Sequence, residues 1–219
     1  MKKIENICEE NINELTVVSD KKESKTLDIV FVLDKSGSMT GSERSVINGF
    51  NAFVEKESNK YRDSRVTAVV FDHDYKKLYS RKDIKDVEIL TDKDYNPSGC
   101  TALYDAIGFT IQDLMNEVNN DVLFIIITDG YENSSRRFDK EHINSLIDEL
   151  DWDFVFVGAE IDSYSEASNI GIKQSHTANF SKSEESFNQL FEACYEMSDC
   201  LHKNKSIDNL DWKKDIEGN

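Results

Sequence analysis

The chain has 219 residues, with 43 Asp and Glu against 26 Lys and Arg, a formal net charge of −17 and 38% hydrophobic residues. That length and apolar content fit one ordinary domain with extensions. So negative a chain repels nucleic acid and anionic membrane surfaces, which removes both from the expected partners, and it attracts cations.

In chain order, residues 1–25 read as a polar N-terminal extension, broken by a weak apolar "INELTVV". The opening "MKKIENICEE" has no apolar stretch behind its lysines, so it lacks the pattern of a secretory signal. "TLDIVFVL" follows, short, β-branched and apolar on both faces, as a central parallel strand covered by helices should be. Val46, Phe50, Phe53 and Val54 then recur at helical spacing. "RVTAVVF" predicts a second buried strand, "DHD" a turn, and "YKKLYS" an edge strand folded back as a hairpin. A polar connection from Arg81 to Gly99 carries the single proline, Pro97. Leu103, Ala106, Ile107, Ile111, Leu114 and Val118 mark an amphipathic helix, and "VLFIIIT" the most apolar strand. Ile143, Leu146, Ile147 and Leu150 mark another helix, "DFVFVG" a strand, "SYSEASNIG" a short helix and "IKQSHTA" a weak last strand. Phe187, Leu190, Phe191, Cys194 and Leu201 mark the final helix. Residues 26–201 are thus expected to form one domain, with residues 202–219 a solvated polar tail.

Alternating strands and helices with one early hairpin predict an α/β fold. It is a Rossmann-like three-layer sandwich, with a mostly parallel central sheet, one antiparallel edge strand and helices on both faces. No apolar run reaches bilayer-spanning length. Cys8, Cys100, Cys194 and Cys200 form no CxxC pair, which suits reduced thiols in a cytoplasmic protein. Cys100 is expected to be a small buried filler.

In such sheets ligands gather at the carboxyl ends of the strands. Asp34, Ser36 and Ser38 follow the first strand, Asp129 and Gly130 follow "VLFIIIT", and Thr101 opens a helix. If the two strands are neighbours, Asp34 and Asp129 converge, and two close carboxylates repel unless a cation lies between them. Hydroxyls of Ser36, Ser38 and Thr101 would complete an oxygen-only shell of the kind Mg²⁺ selects. Each residue also has an ordinary reading: Ser36, Ser38 or Thr101 as a helix cap, Asp129–Gly130 as a strand-ending turn. "FDHDY" reads as a hairpin turn, with a second metal site at Asp72, His73 and Asp74 as its alternative. His142, His176 and His202 are scattered and read as surface or core residues. "SSRR" at Ser134 to Arg137 is either a rim of the metal face or a solvated loop.

"FVLDKSGSM", "GCTALYDAIG", "ITDGYENSSR" and "WDFVFVGAEID" resemble stretches of von Willebrand factor A domains, in particular small stand-alone bacterial and phage proteins of that class. The metal-ion-dependent adhesion site of that family, Asp-x-Ser-x-Ser with a distant Thr and a distant Asp, falls on Asp34, Ser36, Ser38, Thr101 and Asp129. Where many relatives carry Gly-Gly before the threonine, this chain has "SGC", with Pro97 just upstream. The resemblance implies a non-enzymatic binding module holding Mg²⁺ (or Mn²⁺), whose last ligand is an Asp or Glu of a partner protein. Two other readings compete. One is a Mg²⁺-dependent phosphotransferase or phosphatase of haloacid-dehalogenase type, which wants a second acid where Ser36 stands; the other is a structural domain whose ion staples loops.

Overall fold

The computed structural model describes residues 26–217; the N-terminal extension and Cys8 lie outside the described residues. Six strands form one sheet: β1 (Leu27–Asp34), β2 (Arg65–Phe71), β3 (Tyr75–Asp83), β4 (Asp121–Thr128), β5 (Asp153–Ala159) and β6 (Thr177–Phe180). Their order is β3-β2-β1-β4-β5-β6. All neighbours are parallel except β2 and β3, the expected hairpin at one edge. The helices are α1 (Glu43–Lys60), α2 (Leu103–Leu114), α3 (Lys140–Asp148), α4 (Ser163–Asn169), α5 (Glu184–His202) and a final turn α6 (Lys214–Glu217). The anticipated Rossmann-like α/β sandwich is therefore present.

Strand alternation divides the core in two. Ile29, Phe31 and Leu33 of β1 face the side covered by α1 and α5, while Val30 and Val32 face α2, α3 and α4. Phe31 meets Phe50 and Phe53 of α1 edge-on, with ring centroids 5.4 and 4.9 Å apart. Gly49 lets α1 and α5 approach closely, because a Cβ there would stand 2.1 Å from the Phe191 ring. Among the described residues, no helix is long and apolar enough to cross a membrane.

The C-terminal stretch departs from the expected solvated tail. Ile207, Trp212 and Ile216 are buried against the α5 side of the core, and the Trp212 indole donates to the Ser175 carbonyl at 3.2 Å. Isolated apolar residues in a polar run show no periodicity, yet Ile207, Trp212 and Ile216 all join the core cluster on the α5 side of the sheet. The chain ends this turn on the sheet edge, where the Glu217 carboxylate accepts from the Asn179 amide of β6 (3.0 Å) and from the Tyr164 hydroxyl (2.6 Å). At the other edge β3 carries Lys76, Lys77, Arg81 and Lys82.

Register places the strand ends together. Asp34 of β1 lies beside Phe71 of β2, and Leu33 beside Ile127 of β4, so the segments after β1, β2 and β4 leave the sheet at one pole. The opposite pole holds two polar clusters. Asp28, buried within β1, takes the Arg81 guanidinium at 2.8 and 3.2 Å and the Asn120 amide at 2.9 Å. Glu57 and Ser64 surround the His202 ring nitrogen Nε2 at 2.8 and 3.0 Å, all three buried, with Tyr61 stacked on the imidazole.

Candidate metal site

β1 and β4 are neighbours, so Asp34 and the residue after β4, Asp129, converge as the sequence requires. Asp34 is fully buried. Its Oδ1 accepts from the Ser36 amide (2.6 Å) and its Oδ2 from the Thr128 hydroxyl (2.6 Å). The buried Tyr95 hydroxyl donates to the Asp34 carbonyl, fixing the strand end. Burial pushes the Asp34 carboxyl up to about 6, against the hydrogen bonds from Thr128 and Ser36, and nearby Asp129 adds to the rise.

The serines turn towards the second carboxylate. The Ser36 and Ser38 hydroxyls are 3.0 Å apart, and Ser38 donates to Asp129 Oδ1 at 2.5 Å. The capping readings do not hold. Ser36 precedes a short helical turn at Gly37–Met39 without a side-chain cap bond, and α1 begins after Ser42, also without one. The residue before α2 is Ala102, not Thr101. The first turn of α2 is satisfied from the loop after β4 instead: Glu132 accepts from the Tyr104 amide (3.0 Å), and the Ser135 hydroxyl from the Asp105 amide (2.9 Å). Asp105 in return accepts the amides of Arg136, Arg137 and Phe138 at 2.8–2.9 Å, so "SSRR" is an ordered clamp on α2.

Thr101 is buried and tied to the same loop, its amide donating to the Asn133 side chain (2.9 Å) and its carbonyl accepting the Asn133 amide (3.0 Å). This brings its hydroxyl over Gly130: a Cβ on Gly130 would lie 2.8 Å from Thr101 Oγ1. The glycine of "TDG" is thus needed for space beside the threonine. The "SGC" segment also docks here, through Ser98 amide to Lys35 carbonyl (2.8 Å) and Gly37 amide to Gly99 carbonyl (3.0 Å). Cys100 is exposed, contrary to the expectation of a buried filler, because the backbone contacts of this loop turn its side chain outward.

Sequence reasoning missed two lysines. Lys35 pairs with Asp72, whose other oxygen accepts the Asp74 amide at 2.7 Å. Burial would raise the Asp72 carboxyl, but Lys35 and the hairpin amide outweigh it and hold it below the usual range. Asp72, His73 and Asp74 do bring ligand atoms within 4.8 Å of one another. Even so, the buried carboxylate already has an ammonium as counter-charge and organises the hairpin, which favours the turn reading. Lys182, between β6 and α5, reaches Asp129 Oδ2 at 2.6 Å and Glu160 at 3.0 Å. A cleft of about 730 Å³ between β6 and the C-terminal turn is lined by none of the five predicted ligands.

The description "von Willebrand factor type A domain" matches residues 28–193. The chain belongs to the von Willebrand factor type A family. No curated protein matches it. Among solved structures, proximal thread matrix protein 1 from the mussel byssus, with a zinc-occupied MIDAS motif, superposes with a TM-score of 0.60 at 20% identity. That match covers 80% of this chain and 46% of the mussel protein, so this chain spans about half of that relative. The PilB minor pilin from Streptococcus sanguinis gives 0.62 at 13% identity, over 86% and 64% of the two chains. The vWF domain of the type V pili tip protein Mfa5 from Porphyromonas gingivalis gives 0.55 at 13% identity, over 78% and 95%. At these identities the likeness is one of fold.

Proposed function

We propose that this von Willebrand factor A domain is a divalent-cation-dependent protein-binding module rather than an enzyme. In this reading Asp34, Ser36, Ser38, Thr101 and Asp129 hold Mg²⁺ (or Mn²⁺), and an Asp or Glu of a partner protein completes the shell. The observation that carries it is the donor set. Two carboxylates converge at one strand-end pole with serine hydroxyls that cap no helix and lie against each other and Asp129. All-oxygen donors suit a small hard cation. Such an ion, balanced by two carboxylates and otherwise met by neutral hydroxyls, retains affinity for a further anion. It also gives a chain of net charge −17 the local positive charge needed to receive an acidic partner.

The phosphotransferase reading has less support, since position 36 carries a hydroxyl where that chemistry wants an acid. We place the protein in the cytoplasm on the strength of the free thiols Cys100, Cys194 and Cys200. The test is affinity purification from cell extract with Mg²⁺ and with EDTA, using wild type and Thr101→Ala. Partners retained with Mg²⁺, and lost with EDTA and in the variant, support the reading. Equal recovery in every arm overturns it.

A further inference from the structure

Lys182 brings a positive charge to the carboxylates of the site. Its ammonium lies at ion-pair distance from Asp129 Oδ2 (2.6 Å) and Glu160 Oε2 (3.0 Å) and donates to the Ser38 carbonyl at 3.3 Å. The base of the side chain is held firmly. Ser183 caps α5 by accepting the Ser186 amide (3.1 Å), and the Ser181 amide donates to the Ser186 hydroxyl (3.2 Å). The side chain itself is 22% exposed, so a path to solvent exists along its flexible stem. Its two carboxylate partners differ sharply, Asp129 being buried and the Glu160 side chain 66% exposed.

Asp129 accepts a hydrogen bond at Oδ1 from the Ser38 hydroxyl, while its buried Oδ2 has no hydrogen-bond partner among the described residues and is met only by the charge of the Lys182 ammonium. A divalent ion drawing on Asp129 and Ser38 would stand close to the ammonium, and like charges at short range in a partly buried site repel strongly. Glu160 offers the ammonium a place to stay once Asp129 is taken.

We propose that Lys182 is a built-in competitor for the cation: its ammonium neutralises Asp129, moves onto Glu160 when a divalent ion enters, and so sets the metal affinity of the site. This inference rests on the metal-binding reading above. It makes the protein selective for conditions in which divalent ions are abundant enough to displace a tethered charge.

The experiment is calorimetric titration of the full chain with MnCl₂, for wild type, Lys182→Met, Glu160→Gln and the double variant. Lys182→Met is expected to bind Mn²⁺ at least about fivefold more tightly, the scale of one removed, partly screened charge. Glu160→Gln is expected to bind more weakly, because displaced Lys182 loses its alternative partner. In the Lys182→Met background Glu160→Gln should have a much smaller effect, which a purely electrostatic role of Glu160 would not produce. A second readout needs no variant. Acetylation of Lys182 by an N-hydroxysuccinimide ester, followed by mass spectrometry, should accelerate when Mn²⁺ is added. Wild-type binding with equal or weaker affinity in Lys182→Met, or an acetylation rate indifferent to Mn²⁺ in a protein that binds it, overturns the lysine inference alone. Absence of Mn²⁺ binding in both wild type and Lys182→Met overturns it together with the metal reading.

Discussion

Gly130→Ala tests the placement of Thr101 without altering any proposed ligand. The backbone of Gly130 does not lie in the left-handed region, so alanine brings crowding but no torsional strain. A Cβ at this position would lie 2.8 Å from Thr101 Oγ1, against about 3.4 Å for ordinary contact, so the hydroxyl must retreat by about 0.6 Å. The threonine side chain is short and β-branched, and it moves by rotating as a unit. An octahedral Mg²⁺ shell tolerates oxygen positions to within about 0.2 Å, so the displaced hydroxyl leaves the shell. We expect Mg²⁺ affinity to fall by about tenfold or more, the scale seen when the support of a metal ligand is lost. Ca²⁺, with longer and more variable bonds, should lose less. Crowding should lower stability by about 1–3 kcal/mol. Calorimetric titration of Gly130→Ala, Thr101→Ala and the double variant decides the matter. If the glycine acts through the threonine, the double variant loses no more than Thr101→Ala. Unchanged Mg²⁺ affinity in Gly130→Ala would refute the placement of Thr101 in the shell.

Four further outcomes follow from the structure. For a dissociation constant of roughly 0.1–1 mM, 1 mM Mg²⁺ or Mn²⁺ should raise the melting temperature by about 1–5 °C. Asp34→Ala should remove that shift and leave the protein folded by circular dichroism, at a cost of about 1–3 kcal/mol for the unpaired Thr128 hydroxyl and Ser36 amide; a persisting shift would take Asp34 out of the site. Trp212→Ala should cost about 3–5 kcal/mol if the C-terminal stretch is part of the core, and a near-neutral effect would return it to solvent. Burial alone would raise the Asp199 carboxyl, but Lys203, Lys60 and Tyr61 hold it well below the usual carboxylate range. Its folded pKa is thus depressed, so its contribution is present above about pH 4 and lost as pH falls below that. Asp199→Asn should flatten the acid limb of the stability–pH curve, and an unchanged limb would contradict the assignment.

The central strands were legible because helices cover both faces of β1, β4 and β5, which makes them continuous apolar runs rather than alternating ones. The hairpin was legible from "DHD" between a buried strand and an alternating one. Convergence of Asp34 and Asp129 followed from topology, since ligand-bearing loops share one end of a parallel sheet. What stayed hidden depends on contacts between distant segments. Nothing around Lys182 in the chain says that its ammonium reaches Asp129, and nothing around Lys35 points to Asp72. Trp212 and Ile216 look like isolated apolar residues because the core they join is built from distant segments, α5 among them. Cys100 looked buried by composition, but the direction of its side chain is set by backbone bonds of the "SGC" loop.

The two edges of the sheet bear on how this protein can meet others. An open edge strand is a template for pairing with foreign backbone, and such pairing leads to uncontrolled assembly. Here Glu217 occupies the Asn179 amide of β6 with a carboxylate in place of a neighbouring strand's carbonyl. On the far side, β3 carries Lys76, Lys77 and Lys82, whose ammonium groups an incoming strand would have to strip of water. Both flanks are thereby biased against recruitment by strand addition. Under the proposed function, association would fall instead to the pole where β1, β2 and β4 end, with specificity resting on side-chain chemistry rather than on the generic stickiness of exposed backbone.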